Sequence, residues 1–385
     1  MRSDSKLKIQ NSKLAKLVRA LLAWFSASAR DLPWRRTRDP YAIWVSEIML
    51  QQTQVNTVLP YWKRWLRELP NIEAVAKASP DKIHKLWEGL GYYTRARNLQ
   101  KAAQQIVKSG KRKAESGNSG CQFPQNYDEI LTLPGIGRYT AGAICSIAFN
   151  QPTPILDGNV IRVLTRIFGI GGNPREKETN ARLWRLAEEL VGRAVPSPPR
   201  RGRDTVPYHS SLNQSLMELG ALVCTPRNPQ CGICPAKKLC VAFRENRVEE
   251  LPNLGKRQAA TARHFVAFVV ERNGHFLVRQ RPAGVVNAHL WEFPNVEILN
   301  GKFNPKLTAK KILGMEPSGV EPLCEVKHSI TRYRITLGAF AVSPRNVSKK
   351  IDGVWKTAAQ MRRLAFTAAH KKLASFAVQR ILSDR

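Results

Sequence analysis

Four cysteines lie within seventeen positions, in the segment CTPRNPQCGICPAKKLC, although the whole chain has only seven. Their spacing, C-x6-C-x2-C-x5-C, lets four thiolates converge through short loops that have little closure entropy to lose. Zinc accepts four thiolates, and so does a cubane iron–sulfur cluster. The spacing therefore predicts one metal or cluster site and leaves the metal open. Its ligands would be Cys224, Cys231, Cys234 and Cys240.

Two carboxylates stand where acid–base chemistry is possible. Glu47 lies inside the apolar run IWVSEIML, and burial there would keep its carboxyl protonated near neutral pH, as a general acid requires. A surface or capping glutamate is the more common case for one such residue in a helix. Asp157 precedes the amphipathic stretch NVIRVLTRIF, where an aspartate is a good N-cap and can still present one oxygen to a site.

Two glycine-containing turns indicate contact with a polyanion. LPGIGRYTAGAI places Gly135 and Gly137 between two helices, so the exposed N–H groups of the second helix favour a phosphate, although such a turn can also serve packing alone. GLGYYTRARN sets Tyr92 beside cationic residues, which suits stacking on bases or a place in the core. The formal net charge of +33 also favours a polyanionic partner without choosing between DNA, RNA and acidic membrane.

The elements that must position these residues change in character along the chain. Apolar positions at helical spacing predict a helix over residues 14–25, which we interpret as part of the fold although a basic helix also resembles an organellar presequence. Residues 40–69 are predicted to form two helices. Two polar, basic insertions, residues 108–122 and 195–210, are predicted to be flexible loops. No apolar run reaches membrane-spanning length, so no membrane partner is expected.

The last third of the chain predicts strands and closing helices. RHFVAFVVERNGHFLVRQRP alternates apolar and polar residues about Asn273-Gly274, a hairpin signal. EVKHSITRYRITLGAFAV predicts further strands, and the segment from Thr357 predicts helices. We therefore predict a multidomain protein with an all-α domain at residues 1–248, a linker at 249–262 and an α/β domain at 263–385.

Six of these segments together resemble one family. SEIMLQQTQV, GLGYYTRARN, LPGIGRYTAGAI, ILDGNVIRVLTR, NQSLMELGALVC and the cysteine segment occur in this order in MutY-type adenine DNA glycosylases, of the helix–hairpin–helix glycosylase superfamily. The resemblance covers roughly residues 14–245. It implies a two-lobed all-α catalytic domain, a 4Fe–4S cluster at the four cysteines, and double-stranded DNA with adenine opposite 8-oxoguanine or guanine as the partner of a monomer. It further implies the cytoplasm of a bacterium, or the nucleus or mitochondria of a eukaryote, as the location.

The resemblance also implies roles for single residues. Glu47 matches the acid that protonates adenine N7, Asp157 matches the carboxylate that stabilises the sugar cation, and Tyr139 matches a tyrosine near both. Gln52 and Tyr92 match residues that wedge into the duplex, and Glu218 matches an acidic position near the adenine pocket.

Tyr139 also separates this family from its relatives. Endonuclease III-type enzymes share the cluster and the hairpin, but they carry a lysine at this step of the motif, which forms a Schiff base and cuts the strand. A phenol cannot form that imine. We therefore expect hydrolysis of the glycosidic bond without efficient strand cleavage. A pyrimidine glycosylase with lyase activity and a noncatalytic DNA-binding iron–sulfur protein are the competing interpretations.

The C-terminal third resembles the Nudix-like domain of the same family, which reads 8-oxoguanine. After LWEFP the chain lacks the acidic set with which Nudix hydrolases hold divalent metal, so nucleotide hydrolysis is disfavoured. Many members carry Phe-Ser-His in the loop that approaches 8-oxoguanine, whereas this chain has Ile330-Thr331-Arg332. Thr331 retains a hydroxyl, and we expect selectivity for oxidised guanine that is retained but altered.

Overall fold

The structure, a computed structural model, describes residues 2–115, 122–192, 208–255, 259–299, 303–330, 332–344 and 352–383. It divides into two compact units. The first unit contains Met1–Ala76 and Lys101–Arg257, and the second contains Lys77–Gln100 and Gln258–Arg385. A segment from the N-terminal half of the chain therefore packs with the C-terminal third. The linker at 249–262 and the domain limits drawn from it stay a prediction.

Twelve α-helices are described before the first strand, as predicted for an all-α domain. They are α1 (Arg2–Ser28), α2 (Pro40–Leu50), α3 (Val55–Glu68), α4 (Ile72–Lys77), α5 (Pro80–Trp87), α6 (Thr94–Glu115), α7 (Tyr127–Leu131), α8 (Arg138–Phe149), α9 (Gly158–Phe168), α10 (Lys177–Gly192), α11 (Tyr208–Leu222) and α12 (Val241–Arg244). The helix predicted over residues 14–25 and the helix pair predicted over 40–69 are confirmed.

The core of the first unit lies where α1, α8, α9 and α11 meet. Leu14, Leu17 and Leu21 of α1 are fully buried there, because apolar residues three and four positions apart share one face of a helix. Two close approaches need glycine. A Cβ at Gly142 would lie 2.2 Å from the Pro154 carbonyl oxygen, and one at Gly220 would lie 2.6 Å from the Asn159 side chain. These contacts fix the spacing of the helices that carry the candidate site.

Both predicted loops are partly wrong. Residues 108–122 were expected to form a flexible loop, but α6 continues as far as Glu115. Lysine, arginine, alanine and glutamate favour helix, and the buried stripe that includes Leu99 and Ile106 anchors the earlier turns. The second predicted loop, residues 195–210, is wrong at its end, because α11 begins at Tyr208. Residues 116–121 and 193–207 lie outside the described residues, so the rest of both predicted loops stays a prediction.

The second unit contains a sheet, as predicted for an α/β domain, and the sheet is mixed. Its strands are β1 (Thr261–Arg272), β2 (His275–Gln280), β3 (Trp291–Glu292), β4 (Asn295–Ile298), β5 (Pro317–Ile330), β6 (Tyr333–Pro344) and β7 (Val354–Thr357). The strand order is β3-β2-β1-β6-β5, and β4 and β7 pair with β1 and β2. The β1–β6 pair is parallel, with Thr261 opposite Tyr333, and the other pairs are antiparallel.

The predicted hairpin and closing helices are present in this unit. Asn273 and Gly274, at φ 51° and 76°, form the turn between β1 and β2, because a two-residue hairpin needs positive φ at both positions. Helices α13 (Pro305–Leu313), α14 (Ala358–Arg363) and α15 (Ala368–Ser383) complete the fold. Among the described residues, no helix combines the length and apolar character needed to cross a membrane.

Candidate active site and cysteine cavity

Glu47 is buried on a helix that is apolar on every face. Asp39 caps α2 by accepting from the backbone N–H groups of Tyr41 and Ala42, and Pro40 starts the helix. The side chains around Glu47 give its carboxyl little water, and the residue is only 5% exposed. Burial is the main cause that raises the pKa of Glu47 to about 7. The predicted burial of this glutamate is therefore observed, and its carboxyl holds a proton for part of the time at neutral pH.

Tyr139 lies directly against this carboxyl. It is the second residue of α8, and its hydroxyl donates to Glu47 Oε2 at 2.8 Å, with Met217 Sδ at 3.3 Å as an alternative acceptor. Burial, followed by the charges of Glu47 and Asp157, raises the pKa of Tyr139 well above that of a free phenol. Tyr139 therefore stays protonated and acts as a hydrogen-bond donor.

Asp157 is the N-cap of α9, as its position predicts. Its Oδ1 accepts from the Val160 backbone N–H at 2.7 Å and so caps α9, while Oδ2 accepts from Asn159 Nδ2 at 2.9 Å. Its negative charge raises the pKa of Glu47 and of Tyr139, so the three groups form one electrostatic site. Burial raises the pKa of Asp157 itself, against hydrogen bonds from Val160 and Asn159.

A polar chain joins Asp157 to the cysteine segment. Arg162 Nη2 donates to Asn159 Oδ1 at 2.7 Å, and Arg162 Nε donates to the Cys224 carbonyl oxygen at 2.7 Å. Sequence reasoning missed Asn159 and Arg162. The available signal was their position on the first turns of the helix that Asp157 caps, which places polar side chains next to the cap.

Glu218 is buried in an ion-pair network rather than open to a pocket. It is 1% exposed, and its two oxygens accept from the backbone N–H and guanidinium of Arg30 and from the guanidinium of Arg35, over 2.7–3.0 Å. Burial raises the pKa of Glu218, but these hydrogen bonds outweigh it and lower the pKa to about 2. Arg30 and Arg35 were missed, because the sequence gives no sign that they meet a glutamate so far along the chain.

The hairpin between α7 and α8 has the predicted form. Gly135 has φ 78°, a conformation that glycine adopts without strain. Gly137 occupies the N-cap position of α8 without a side-chain cap, and a Cβ added there would meet no atom within 4 Å. Neither backbone strain nor packing requires glycine at 137, so the space before the N–H groups of α8 is open to a ligand.

Gln52 and Tyr92 share an unusual backbone conformation. Both are exposed and both are left-handed, with φ 55° and 46°. Non-glycine residues in this region cost on the order of 1 kcal/mol and concentrate at functional sites. They lie in different compact units. Thr331 lies outside the described residues.

The four clustered cysteines line one cavity. Its other lining residues include Arg166, Leu219, Lys237 and Phe243. None of the four is in a disulfide, and Arg166 Nη1 donates to Cys224 Sγ at 3.4 Å. Burial raises the pKa of the Cys231, Cys234 and Cys240 thiols. Across the described ranges, no three Cys, His, Asp or Glu side chains are arranged to hold one metal ion.

Arg166 is a further residue that the sequence did not point to. It is 2% exposed, and besides Cys224 it donates to the carbonyl oxygens of Thr225 at 2.7 Å and Leu251 at 2.8 Å. It therefore holds the backbone at the start of the cysteine segment and beyond its end, and it places a positive charge against the cavity.

Family models and known proteins match both units. Residues 45–189 match the HhH-GPD superfamily base excision DNA repair protein family, and residues 265–375 match the NUDIX domain. The adenine DNA glycosylase of Rattus norvegicus is 34% identical over 415 residues, with 92% of this chain and 76% of that protein covered. The adenine DNA glycosylase of Homo sapiens is 33% identical over 420 residues, with 92% and 72% covered.

A solved structure agrees with the helical part. A thermostable thymine-DNA glycosylase is 30% identical, covers 61% of this chain and 99% of its own, and superposes with a TM-score of 0.51. The helical fold, the Nudix-like sheet and the full-length relatives agree with one another. The chain is a DNA glycosylase and belongs to the adenine DNA glycosylase family, within the HhH-GPD superfamily of base excision repair proteins.

Proposed function

We propose that this protein removes adenine paired with 8-oxoguanine or guanine by hydrolysing its N-glycosidic bond. The observation that carries this proposal is the carboxyl of Glu47. It is buried, its pKa lies at about 7, and it accepts a hydrogen bond from the neutral Tyr139, with Asp157 close enough for its charge to raise that pKa. A glycosylase for an unactivated purine needs a proton donor of this acidity and a negative charge near the sugar.

Protonation is the first step of the proposed reaction. The bond to the sugar is inaccessible within stacked DNA, so the adenine is first extruded from the duplex. Glu47 transfers its proton to adenine N7, which makes the base a better leaving group. The sugar then acquires oxocarbenium character, and the carboxylate of Asp157 stabilises that positive charge. Glu47, now ionised, accepts a proton from the water that attacks the sugar.

The tyrosine at position 139 favours hydrolysis over strand cleavage. Its hydroxyl points at Glu47, and its raised pKa keeps it protonated. With no amine at this position to attack the sugar, the product is an abasic site in an intact strand. This supports a monofunctional glycosylase over the lyase alternative.

We propose that the cysteine cavity holds a 4Fe–4S cluster, as the resemblance to MutY-type glycosylases implies. Four free thiols line one shared cavity, and thiolates are the ligands of such a cluster. Cys224, Cys231, Cys234 and Cys240 would hold the cluster, and Arg166 Nη1 donates to Cys224 Sγ. The cluster would stabilise the fold around it rather than take part in base removal. Arg162 and Arg166 would then hold this segment against α9.

The DNA partner is proposed from the exposed backbone and the charge. The open N-terminus of α8 at Gly137 would bind a phosphate, while Gln52 and Tyr92 would contact the duplex beside the extruded base. The net charge of +33 would add attraction that falls with salt. We propose that the protein acts as a monomer wherever the genome resides, and that Thr331 contributes to reading 8-oxoguanine.

The test uses purified protein and duplexes with adenine opposite 8-oxoguanine or opposite guanine. We expect alkali-labile sites with wild type, none with Glu47→Gln, and no strand breaks without alkali. Breaks at the rate of base loss would contradict the monofunctional assignment, and equal activity of wild type and variant would remove Glu47 from the mechanism. Equal rates on the two duplexes would contradict the selectivity. A colourless preparation that contains zinc rather than iron would overturn the cluster.

A further inference from the structure

The carboxylate of Glu88 joins two distant segments inside the second unit. Its Oε2 accepts from Lys85 Nζ at 2.9 Å and from Lys371 Nζ at 2.8 Å, and its Oε1 accepts from the Phe366 backbone N–H at 3.1 Å. Lys85 also donates to the Leu364 carbonyl oxygen at 2.9 Å. The turn over residues 88–95, here called the Tyr92 turn, follows α5. Glu88 therefore bonds the end of α5 to residues 364–371, 278 to 283 positions further along the chain.

The 364–371 segment is a firm support because it is built into the sheet. The Trp291 backbone N–H donates to the Ala365 carbonyl oxygen at 2.9 Å, and the Trp291 carbonyl oxygen accepts from Thr367 at 3.1 Å. Phe366 is 3% exposed and packs in the core that contains Phe293. Residues on this side of the contact are therefore held by both backbone hydrogen bonds and core packing.

The Tyr92 turn depends more on its surroundings. It follows α5, which has only eight residues, too few for a helix to be stable alone. Trp87 Nε1 donates to the Gly91 carbonyl oxygen at 3.0 Å, and the Arg95 guanidinium donates to the Leu90 carbonyl oxygen at 2.9 Å and lies over the Tyr92 ring. These bonds shape the turn, and Arg97, just after it, donates to the Ala288 carbonyl oxygen at 3.0 Å.

Glu88 connects this turn to the 364–371 segment. It ends α5 and stands four positions before Tyr92, whose φ of 46° is a strained value for a tyrosine. A strained residue persists where surrounding contacts hold it. Burial raises the pKa of Glu88, but the hydrogen bonds from Lys371 and Lys85 lower it by more, so the carboxylate is charged at neutral pH. Its hydrogen bonds to the two lysines are therefore charge-assisted.

We propose that Glu88 is a positioning residue that docks the 364–371 segment and thereby holds the Tyr92 turn in the conformation presented to DNA. The proposal rests on the proposed function only in taking Tyr92 as a DNA contact. It gives the C-terminal part of the chain a task besides reading the opposite base. That part sets the geometry of a residue encoded in the N-terminal half.

The test measures the turn directly and then its effect on DNA, always in the full chain. Hydrogen–deuterium exchange of peptides that cover residues 88–95 reports the turn. The rise in fluorescence of 2-aminopurine, placed opposite 8-oxoguanine, reports base unstacking. For Glu88→Gln we expect about tenfold faster exchange in this segment and about fivefold slower unstacking, the size of a lost charge-assisted contact that is partly exposed.

Two lysines give a matched control. Lys371→Met removes a partner of Glu88, whereas Lys372→Met removes the same charge from the same helix one residue further on. We expect Lys371→Met to reproduce both effects, and Lys372→Met to leave the exchange unchanged. The double variant Glu88→Gln, Lys371→Met should cost no more than either alone, because both remove one interaction.

The outcomes separate this proposal from the proposed function. Wild-type exchange in both Glu88→Gln and Lys371→Met would overturn the docking role. Faster exchange with wild-type unstacking would overturn the positioning of Tyr92. If wild-type protein leaves 2-aminopurine stacked, while exchange responds to Glu88→Gln but not to Lys372→Met, the docking role stands and the proposed DNA contact falls.

Discussion

The pKa values of two buried glutamates in the helical unit are shifted in opposite directions. Glu47 has a tyrosine hydroxyl as its close donor, and burial raises its pKa to about 7. Glu218 is as well buried, but five hydrogen bonds from Arg30 and Arg35 lower its pKa to about 2. The same side chain is thus a proton donor in one place and a permanent anion in the other. The number of cations within contact distance decides between them, since both lose their water.

A catalytic acid differs from a structural ion pair in whether its carboxyl still has a proton to donate. Glu218 ties the segment after α1 to α11 with every lone pair occupied, so it has nothing left to exchange. Glu47 holds a proton that it can give away. Arg35 connects the two, because its charge also lowers the pKa of Glu47 slightly against the effect of burial.

The strongest effect on activity is expected from a substitution of Glu47. Glu47→Gln removes the proton donor, and the single-turnover rate of adenine release should fall about 1,000-fold, or about 4 kcal/mol. The melting temperature should not fall, because glutamine fits the same space without a charge to bury. A variant that melts early while keeping its rate would make Glu47 structural, like Glu218.

Glu218→Ala should instead lower the stability of the fold. It leaves the guanidinium groups of Arg30 and Arg35 without their anion, and the free energy of unfolding should fall by about 3 kcal/mol. Chemical denaturation at neutral pH measures this loss. Glu188→Ala, which removes an exposed ion pair with Arg138, is the control and should cost under about 1 kcal/mol. Equal losses would contradict the buried role of Glu218.

The free energy of unfolding should depend on pH differently in wild type and in Glu47→Gln. Its pKa is about 7 in the folded protein and near 4.5 when the chain is unfolded, so folding favours the protonated form. The resulting stabilisation is fully present below pH 4.5 and is lost as the pH rises through about 7. Between about pH 5 and about pH 8, wild type should lose roughly 2 kcal/mol more than Glu47→Gln. Parallel curves for the two proteins would contradict the raised pKa.

A smaller effect is expected at Tyr139, the side chain that donates to Glu47 among the described residues. The hydrogen bond from Tyr139 lowers the pKa of Glu47, so Tyr139→Phe should raise it further. The falling limb of the pH–rate profile should then move upward by up to about one pH unit. Tyr127→Phe is the matched control, since its hydroxyl donates to the Arg138 carbonyl oxygen instead. A limb that moves equally in both variants, or downward, would exclude the bond as the cause.

The sequence alone determined the elements and the kind of chemistry. Apolar spacing fixed the two helices around Glu47, since a helix buried on all sides needs apolar residues on all sides. Asp157 predicted the start of α9, and Asn273-Gly274 predicted the hairpin, because caps and tight turns depend on a few local atoms. The cysteine spacing indicated one site, and the order of six motifs indicated the family.

Only the tertiary structure decided which partners these residues have. Glu218 contacts two arginines, and Glu88 contacts Lys371. Local sequence could not predict these contacts, because each joins residues well over a hundred positions apart. The α6 boundary was misjudged for a related reason: packing of its earlier turns extended a helix through residues whose composition suggested a loop. Local sequence sets which conformations and protonation states are available to a residue. Long-range packing then chooses among them, because burial and the nearest charge come from distant parts of the chain.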